Sequence, residues 1–141
     1  MSLSSHLDIT VQLIFSFEIL STNQFIPLIF TKADKIIISS LKQSLQYHLP
    51  NLNKAISFKD FILKNNNGII AHCNKGEKIT ISKALKKVKN KVIIIGPEGD
   101  FSLDEINFAR EYNYNEVTLG SNRLRAETAA IVACSLMLAS E

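Results

Sequence analysis

Apolar and polar residues alternate along the chain in blocks that predict strands and helices in turn. Three short apolar runs predict buried β-strands: "GIIAHC" at 68–73, "KVIII" at 91–95 and "NEVTLG" at 115–120. Segments with apolar residues every three or four positions predict helices at 57–64, 80–88, 103–112 and 128–140. This order of strands and helices predicts an α/β fold with a mostly parallel sheet and helices on both faces.

The first third of the chain is less uniform. The apolar segment 9–20 is compatible with either a strand or a helix, and "QFIPLIF" at 24–30 predicts a short strand with Pro27 at a bulge or an end. Residues 34–49 carry apolar side chains every four positions and predict a helix that Pro50 stops.

Composition indicates one soluble domain. The chain has 141 residues, of which 46% are hydrophobic and 21% charged, which leaves little room for a second core. The net charge of +3 mildly favours an anionic partner. The amino terminus lacks the features of a secretory signal, and the apolar runs are shorter than the roughly 20 residues that cross a bilayer. We expect a cytoplasmic protein without a membrane segment.

The two cysteines indicate a reducing compartment. Cys73 and Cys134 lie far apart and form no CxxC motif or pairing with histidine. We expect them to be free, buried thiols rather than a disulfide or ligands of a metal.

The stretch "VIIIGPEGDFSLDE" at 92–105 combines a buried strand, a glycine-rich loop and a helix start. Ser102 and Glu105 have the spacing of a capping box. A second predicted strand ends at Leu119-Gly120. Because ligands of parallel α/β sheets bind beyond the carboxyl ends of strands, we expect both loops to share one binding site.

The sequence of the loop after the predicted strand at 91–95 excludes some classes of ligand. It is not a P-loop, because Asp100 and not Lys-Ser/Thr follows Gly99, and GPEGDF is not the GxGxxG dinucleotide motif. The carboxylates of Glu98 and Asp100 would repel a pyrophosphate. These features favour a ligand without phosphate, and S-adenosylmethionine, with its adenosine and positive sulfonium, is consistent with them.

The segments "IIGPEGDFSLDE" and "VTLGSNRLRAETAAIVAC" closely resemble the carboxyl-terminal motifs of SPOUT-class (trefoil-knotted) methyltransferases, in particular the small-subunit ribosomal RNA uridine N3-methyltransferases. That family's pattern reads GPEGG-F-S-x-x-E and then L-G-x-R-I-L-R-x-E-T-A. The resemblance covers about residues 68–138, and residues 41–61 resemble an earlier family segment. Asp100 replaces the second glycine of GPEGG, and Asn122-Arg123 stands where the family has Arg-Ile.

The resemblance implies a deep carboxyl-terminal trefoil knot, a homodimer, and transfer of a methyl group from S-adenosylmethionine to N3 of a uridine in 16S ribosomal RNA. It implies that Arg125 or Arg123 orients the target nucleotide or stabilises a uracil oxyanion, with Glu127 a possible proton acceptor. The residues that it implies for cofactor binding are His72, Ile95, Gly96, Pro97, Glu98, Gly99, Leu119, Gly120, Ser121, Leu124 and Thr128.

Several of these residues also have structural interpretations. His72 could be a satisfied structural histidine, and Glu127 and Thr128 could cap the last helix. The lysines near the helix at 80–88 form either an RNA-facing patch or a solvated helix face.

The resemblance does not extend to the whole family architecture. We expect a single domain over 1–141, in which residues 1–30 match poorly and the family's amino-terminal PUA-like barrel is absent. Two other functions stay open: a non-catalytic or truncated knotted dimer, and a knotted ribose 2′-O-methyltransferase of tRNA or rRNA. The terminal motif of the latter enzymes is not found here.

Overall fold

The computed structural model describes residues 10–13, 56–88, 91–97 and 99–139, with isolated positions at 35, 38, 39, 42 and 53. The chain divides into two compact units, one of Met1–Phe15 with Ser57–Glu141 and one of Ser16–Ile56. In the second unit, Lys35, Ile38, Ser39 and Lys42 are helical, in agreement with the helix predicted at 34–49. The strand predicted at 24–30 lies outside the described residues.

The first unit contains a parallel five-stranded sheet with the order β1-β4-β2-β5-β3. Its strands are β1 Thr10–Leu13, β2 Ile69–Ala71, β3 Ile79–Thr80, β4 Val92–Ile95 and β5 Asn115–Thr118. The predicted parallel sheet is confirmed, and the ambiguous segment 9–20 contributes a strand. The prediction missed β3, which has only two residues and whose partner β5 lies far along the chain.

Four helices follow in the described part of this unit: α1 Phe58–Lys64, α2 Ile81–Leu85, α3 Leu103–Glu111 and α4 Ala126–Leu138. The predicted capping box is present, since Ser102 Oγ accepts the Glu105 amide at 3.2 Å while Glu105 Oε2 accepts the Ser102 amide at 2.8 Å. Helix α2 ends earlier than predicted, because the lysine-rich residues after Leu85 form a turn. No helix in the described ranges is long and apolar enough to cross a membrane.

Alternate residues of the central strands supply two separate cores. Ile70 and Ile94 pack with residues of α1 and α3, whereas Ile69 and Ile93 pack with residues of α2 and α4. Strands β2 and β4 are buried at every position, as expected for a parallel sheet that is covered on both sides. The predicted helices on both faces are confirmed. The threading of a trefoil knot stays a prediction.

Candidate functional site

The carboxyl ends of β2, β4 and β5 open into one cavity of about 540 Å³. Because these strands are adjacent and parallel, the three loops that follow them, 72–78, 96–101 and 119–125, emerge at the same edge of the sheet. The predicted site residues that line this cavity are His72, Ile95, Gly96, Pro97, Leu119, Gly120, Ser121, Arg123 and Leu124. The structure therefore brings these residues together at one cavity, and their role in binding stays a prediction. Glu98 lies outside the described residues.

Several lining residues were not predicted. The loop after β2 contributes Asn74, Lys75 and Lys78 to the cavity wall, and Lys78 Nζ donates to the His72 carbonyl at 2.8 Å. Nothing in the polar sequence "NKGEK" distinguishes these residues from an ordinary solvated loop. With Arg123, the lysines give the described lining an excess of positive charge. The net positive charge of the described lining therefore does not support the expectation that acidic residues of the loop repel phosphate.

His72 is the buried titratable group of the cavity. Its side chain is 1% exposed, and its Nε2 lies 3.0 Å from Glu116 Oε2. Burial and the charge of Lys78 lower the pKa of His72, although Glu116 opposes this shift. A neutral imidazole that donates from Nε2 to a carboxylate presents Nδ1 as an acceptor. This Nδ1 atom is buried and has no hydrogen-bond partner within the described structure, so His72 is not a fully satisfied structural histidine.

Glu116 connects His72 to the protein surface. Its Oε1 atom accepts from Arg110 Nε at 2.9 Å and pairs with Arg110 Nη2 at 2.7 Å. Burial alone would raise the pKa of Glu116, but the hydrogen bonds from Arg110 and His72 lower it overall. A charged Glu116 therefore holds the His72 ring in place. This pairing could not be predicted from the sequence, because His72 and Glu116 are 44 positions apart.

Two of the glycines that were predicted to bind the cofactor occupy positions where a side chain would be unfavourable. A Cβ atom on Gly96 would lie 3.1 Å from the Phe101 ring and 3.4 Å from Asp100 Oδ1. Gly120 has a φ of 154°, a backbone conformation that residues with a side chain rarely adopt, and the space beside it is open. Gly96 therefore permits close loop packing, whereas Gly120 leaves backbone accessible at the cavity wall.

The family follows from comparison of the sequence with known domains. Residues 11–138 match the model of a family described as RNA methyltransferase domain. The chain belongs to this RNA methyltransferase family. A relative from Rickettsia conorii, named ribosomal RNA small subunit methyltransferase E, is 39% identical over 116 residues, which cover 78% of this chain and 47% of the relative. The chain thus spans less than half the length of that relative, and the resemblance found in the motifs is confirmed.

Solved structures agree with this assignment. A crystal structure described as "probable rRNA-methyltransferase from Porphyromonas gingivalis" has 33% identity and a TM-score of 0.67, and the match covers 75% of this chain and 47% of that one. Ribosomal RNA small subunit methyltransferase E from Neisseria gonorrhoeae, bound to S-adenosyl methionine, has 23% identity and a TM-score of 0.75, with 93% and 54% covered. The similarity to the Neisseria structure shows that this chain has the same fold.

The remaining predicted residues of this RNA methyltransferase domain lie beside the cavity but do not line it. Gly99 is exposed in the loop after β4. Arg125 is the N-cap residue of α4, and Glu127 and Thr128 occupy its exposed first turn. The side chain of Arg125 makes no capping hydrogen bond, and the acidic Glu127 lies in the first turn of the helix. Their assignment to the site stays a prediction.

Both cysteines are free thiols, as predicted. Their expected burial is wrong for Cys73, which is exposed because it lies in the loop after β2. Cys134 is half-buried within α4, and burial raises the pKa of its thiol.

Proposed function

We propose that this RNA methyltransferase domain transfers a methyl group from S-adenosylmethionine to N3 of a uridine in the 16S ribosomal RNA of the small subunit. The observation that carries the proposal is the convergence of three glycine-containing loops on one cavity in a chain of this family. The Rickettsia relative named as a small-subunit rRNA methyltransferase supports the substrate class.

The cavity fits an adenosyl cofactor. Its volume of about 540 Å³ is in the range of small-molecule sites. Gly120 leaves open space where a side chain would stand, so a ligand can approach the backbone there. The buried Nδ1 of His72 offers an acceptor that lacks a partner among the described residues. The cofactor bound to the Neisseria structure, which shares the fold, supports the same choice of ligand.

The charges suit an RNA substrate. Lys75 and Arg123 are exposed at the cavity, and Lys83, Lys86 and Lys87 are exposed on α2 and the turn after it. Lysine and arginine contacts to phosphates supply most of the affinity of proteins for nucleic acids, and they make it depend on salt. Lys89, another lysine near this helix, lies outside the described residues.

Methyl transfer to uridine N3 requires that the N3 proton leaves, and the negative charge must be stabilised. The cofactor supplies a methyl group on a positively charged sulfur atom. We assign Arg123, which lines the cavity, to orienting the uracil and stabilising negative charge on its oxygens. Arg125 would position the nucleotide from the start of α4, and Glu127 would accept the proton. Holding both reactants in line supplies most of the acceleration.

We also propose that the protein acts as a homodimer in the cytoplasm. Helix α4 carries the apolar side chains of Ile131 and Leu136, which are 68% and 37% exposed. Association with a second copy of the chain would remove such exposed apolar side chains from water. Light scattering after size exclusion should give twice the mass of 15.8 kDa, and Ile131→Glu should give a monomer.

Titration calorimetry with S-adenosylmethionine and S-adenosylhomocysteine tests the site. We expect both to bind, and we expect Ser121→Trp, which fills the cavity from an exposed lining position, to abolish binding. Ser82→Trp, on the exposed side of α2 and away from the lining, is the matched control.

Activity is then measured as transfer of labelled methyl groups to small ribosomal subunits, with 3-methyluridine identified by mass spectrometry. A methylated ribose in place of 3-methyluridine would support the 2′-O-methyltransferase alternative. Binding of the cofactor without transfer to subunits or free rRNA would support the non-catalytic alternative.

A further inference from the structure

Side-chain hydrogen bonds join two of the three loops that form the cavity. The amide of Cys73, in the loop after β2, donates to Asp100 Oδ2 in the loop after β4 at 2.6 Å. Beside it, Asn74 Nδ2 donates to the Phe101 carbonyl at 2.8 Å. Asp100 Oδ1 accepts the Phe101 amide at 2.9 Å. Both carboxylate oxygens of Asp100 are therefore engaged by backbone amides, one from each loop.

The backbone at Asp100 is unusual for a residue with a side chain. Its φ is 66°, in the left-handed region that glycine adopts most readily. The family pattern given above has glycine at this position. Aspartate tolerates the left-handed region better than most residues because its side chain bonds to nearby amides. Glycine would adopt this φ without strain, whereas for Asp100 the side-chain hydrogen bonds offset the cost of the unfavourable backbone conformation.

The neighbouring glycine makes the arrangement possible. Because Gly96 lacks a Cβ atom, Phe101 and Asp100 pack against its backbone. The loop after β4 therefore folds back on itself and presents the carboxylate to Cys73. Since Ala71, Cys73, Gly96 and Asp100 all line the cavity, these contacts fix the distance between two of its walls.

We propose that Asp100 is a positioning residue, which holds the loops after β2 and β4 in their ligand-binding arrangement before the ligand arrives. The inference rests on the proposed function, because the ligand is taken to be S-adenosylmethionine. A site that is ordered in advance binds more tightly, since less conformational freedom is lost on binding. Asp100 is also the sole carboxylate among the described lining residues, so attraction of the positive sulfonium is the competing explanation. The use of both oxygens by loop amides favours the positioning role.

Two variants separate the possibilities. Asp100→Gly removes the carboxylate and suits the local φ, whereas Asp100→Asn keeps one acceptor oxygen and removes the charge. Asp104→Asn removes a charge from the exposed first turn of α3 and is the matched control. The measurements are hydrogen exchange at the Cys73 amide and calorimetric affinities for S-adenosylmethionine and its neutral product S-adenosylhomocysteine.

We expect Asp100→Gly to speed exchange of the Cys73 amide at least tenfold without ligand. We expect it to weaken both ligands by the same factor of about 10, equivalent to about 1.4 kcal/mol. Asp100→Asn should give intermediate values for both ligands, and Asp104→Asn should match the wild type. The thermal midpoint of Asp100→Gly should change little, because relief of backbone strain offsets the lost hydrogen bonds.

Three results would overturn the inference. Unchanged exchange at Cys73 in Asp100→Gly would mean that the loops are not held by this carboxylate. Unchanged affinity for both ligands would mean that the contact has no part in binding. A loss confined to S-adenosylmethionine would assign Asp100 to charge recognition instead. If the wild type bound neither ligand, the proposed function would fail and with it the role toward the cofactor, while amide exchange would still decide whether Asp100 joins the loops.

Discussion

Replacement of Gly68 by alanine is a direct test of how tightly the sheet packs on α3 and its following turn. A Cβ atom at Gly68 would lie 2.5 Å from Tyr114 Cε1 and 2.9 Å from Cζ. Ordinary contacts of this kind are 3.4–4 Å, so the ring would have to move by about 1 Å. Gly68 has no positive φ, and therefore the clash alone sets the cost.

The Tyr114 ring has little freedom to move. It is 4% exposed, its hydroxyl donates to the Asn65 carbonyl, and burial raises the pKa of Tyr114 to about 12. Overpacking of a close-packed core costs about 1–3 kcal/mol. At this chain length, each kcal/mol lowers the thermal midpoint by roughly 3–4 °C. We therefore expect Gly68→Ala to unfold roughly 3–12 °C below the wild type in scanning calorimetry at fixed protein concentration.

Gly99→Ala is the matched control, because a Cβ atom there meets nothing within 4 Å. It should unfold within about 2 °C of the wild type or slightly above it. Tyr114→Phe removes the bond to Asn65 and frees the ring to shift, so Gly68→Ala should cost less in that background. Equal midpoints for Gly68→Ala and Gly99→Ala would refute the packing argument.

Three further outcomes are expected. The free energy of unfolding should fall as the pH drops from 7 to 5. The reason is that the folded state lowers the pKa of His72 below its unfolded value near 6.5, so the unfolded chain binds more protons in this range. His72→Gln should flatten this part of the curve of unfolding free energy against pH, and an unchanged slope would contradict the assignment. Ser102→Ala should cost about 1 kcal/mol in urea unfolding through loss of the capping box at α3, and no loss would show that the cap is not needed. Ile62→Ala should cost about 2–5 kcal/mol, whereas its exposed neighbour Leu63→Ala should cost under about 0.5, and similar values would contradict the observed burial.

Much of the fold could be predicted because its signals are local. Strands β2 and β4 read as continuous apolar runs, since both of their faces are buried. The start of α3 could be located by Ser102 and Glu105 alone, because a capping box depends on residues three positions apart. Strand β3 could not be predicted, because two residues carry no periodicity and their pairing with β5 joins distant parts of the chain.

The candidate site likewise has features that could be predicted from local sequence and features that could not. Glycines at strand ends marked the loops after β4 and β5, since parallel topology brings such loops to one edge. The contacts that shape the cavity were not visible in the sequence, because Cys73 and Asp100 are 27 positions apart and His72 and Glu116 are 44 apart. In the sequence, Asp100 argued against a phosphate ligand and departed from the family pattern, but its hydrogen bonds to Cys73 and Phe101 could be seen only in the folded structure.

The position of β1 at the edge of the sheet has a consequence for biosynthesis. Thr10 pairs with Val92 and Leu13 with Ile95, so the first of the described strands, β1, joins the sheet through β4. At about 5–20 residues per second, roughly 80 residues must be synthesised between these partners, which takes several seconds. During that time β1 has emerged from the exit tunnel while its pairing edge is still being translated. β1 can therefore join the sheet only after β4 has been made, and a nascent chain arrested before Val92 holds β1 with no strand edge to pair with.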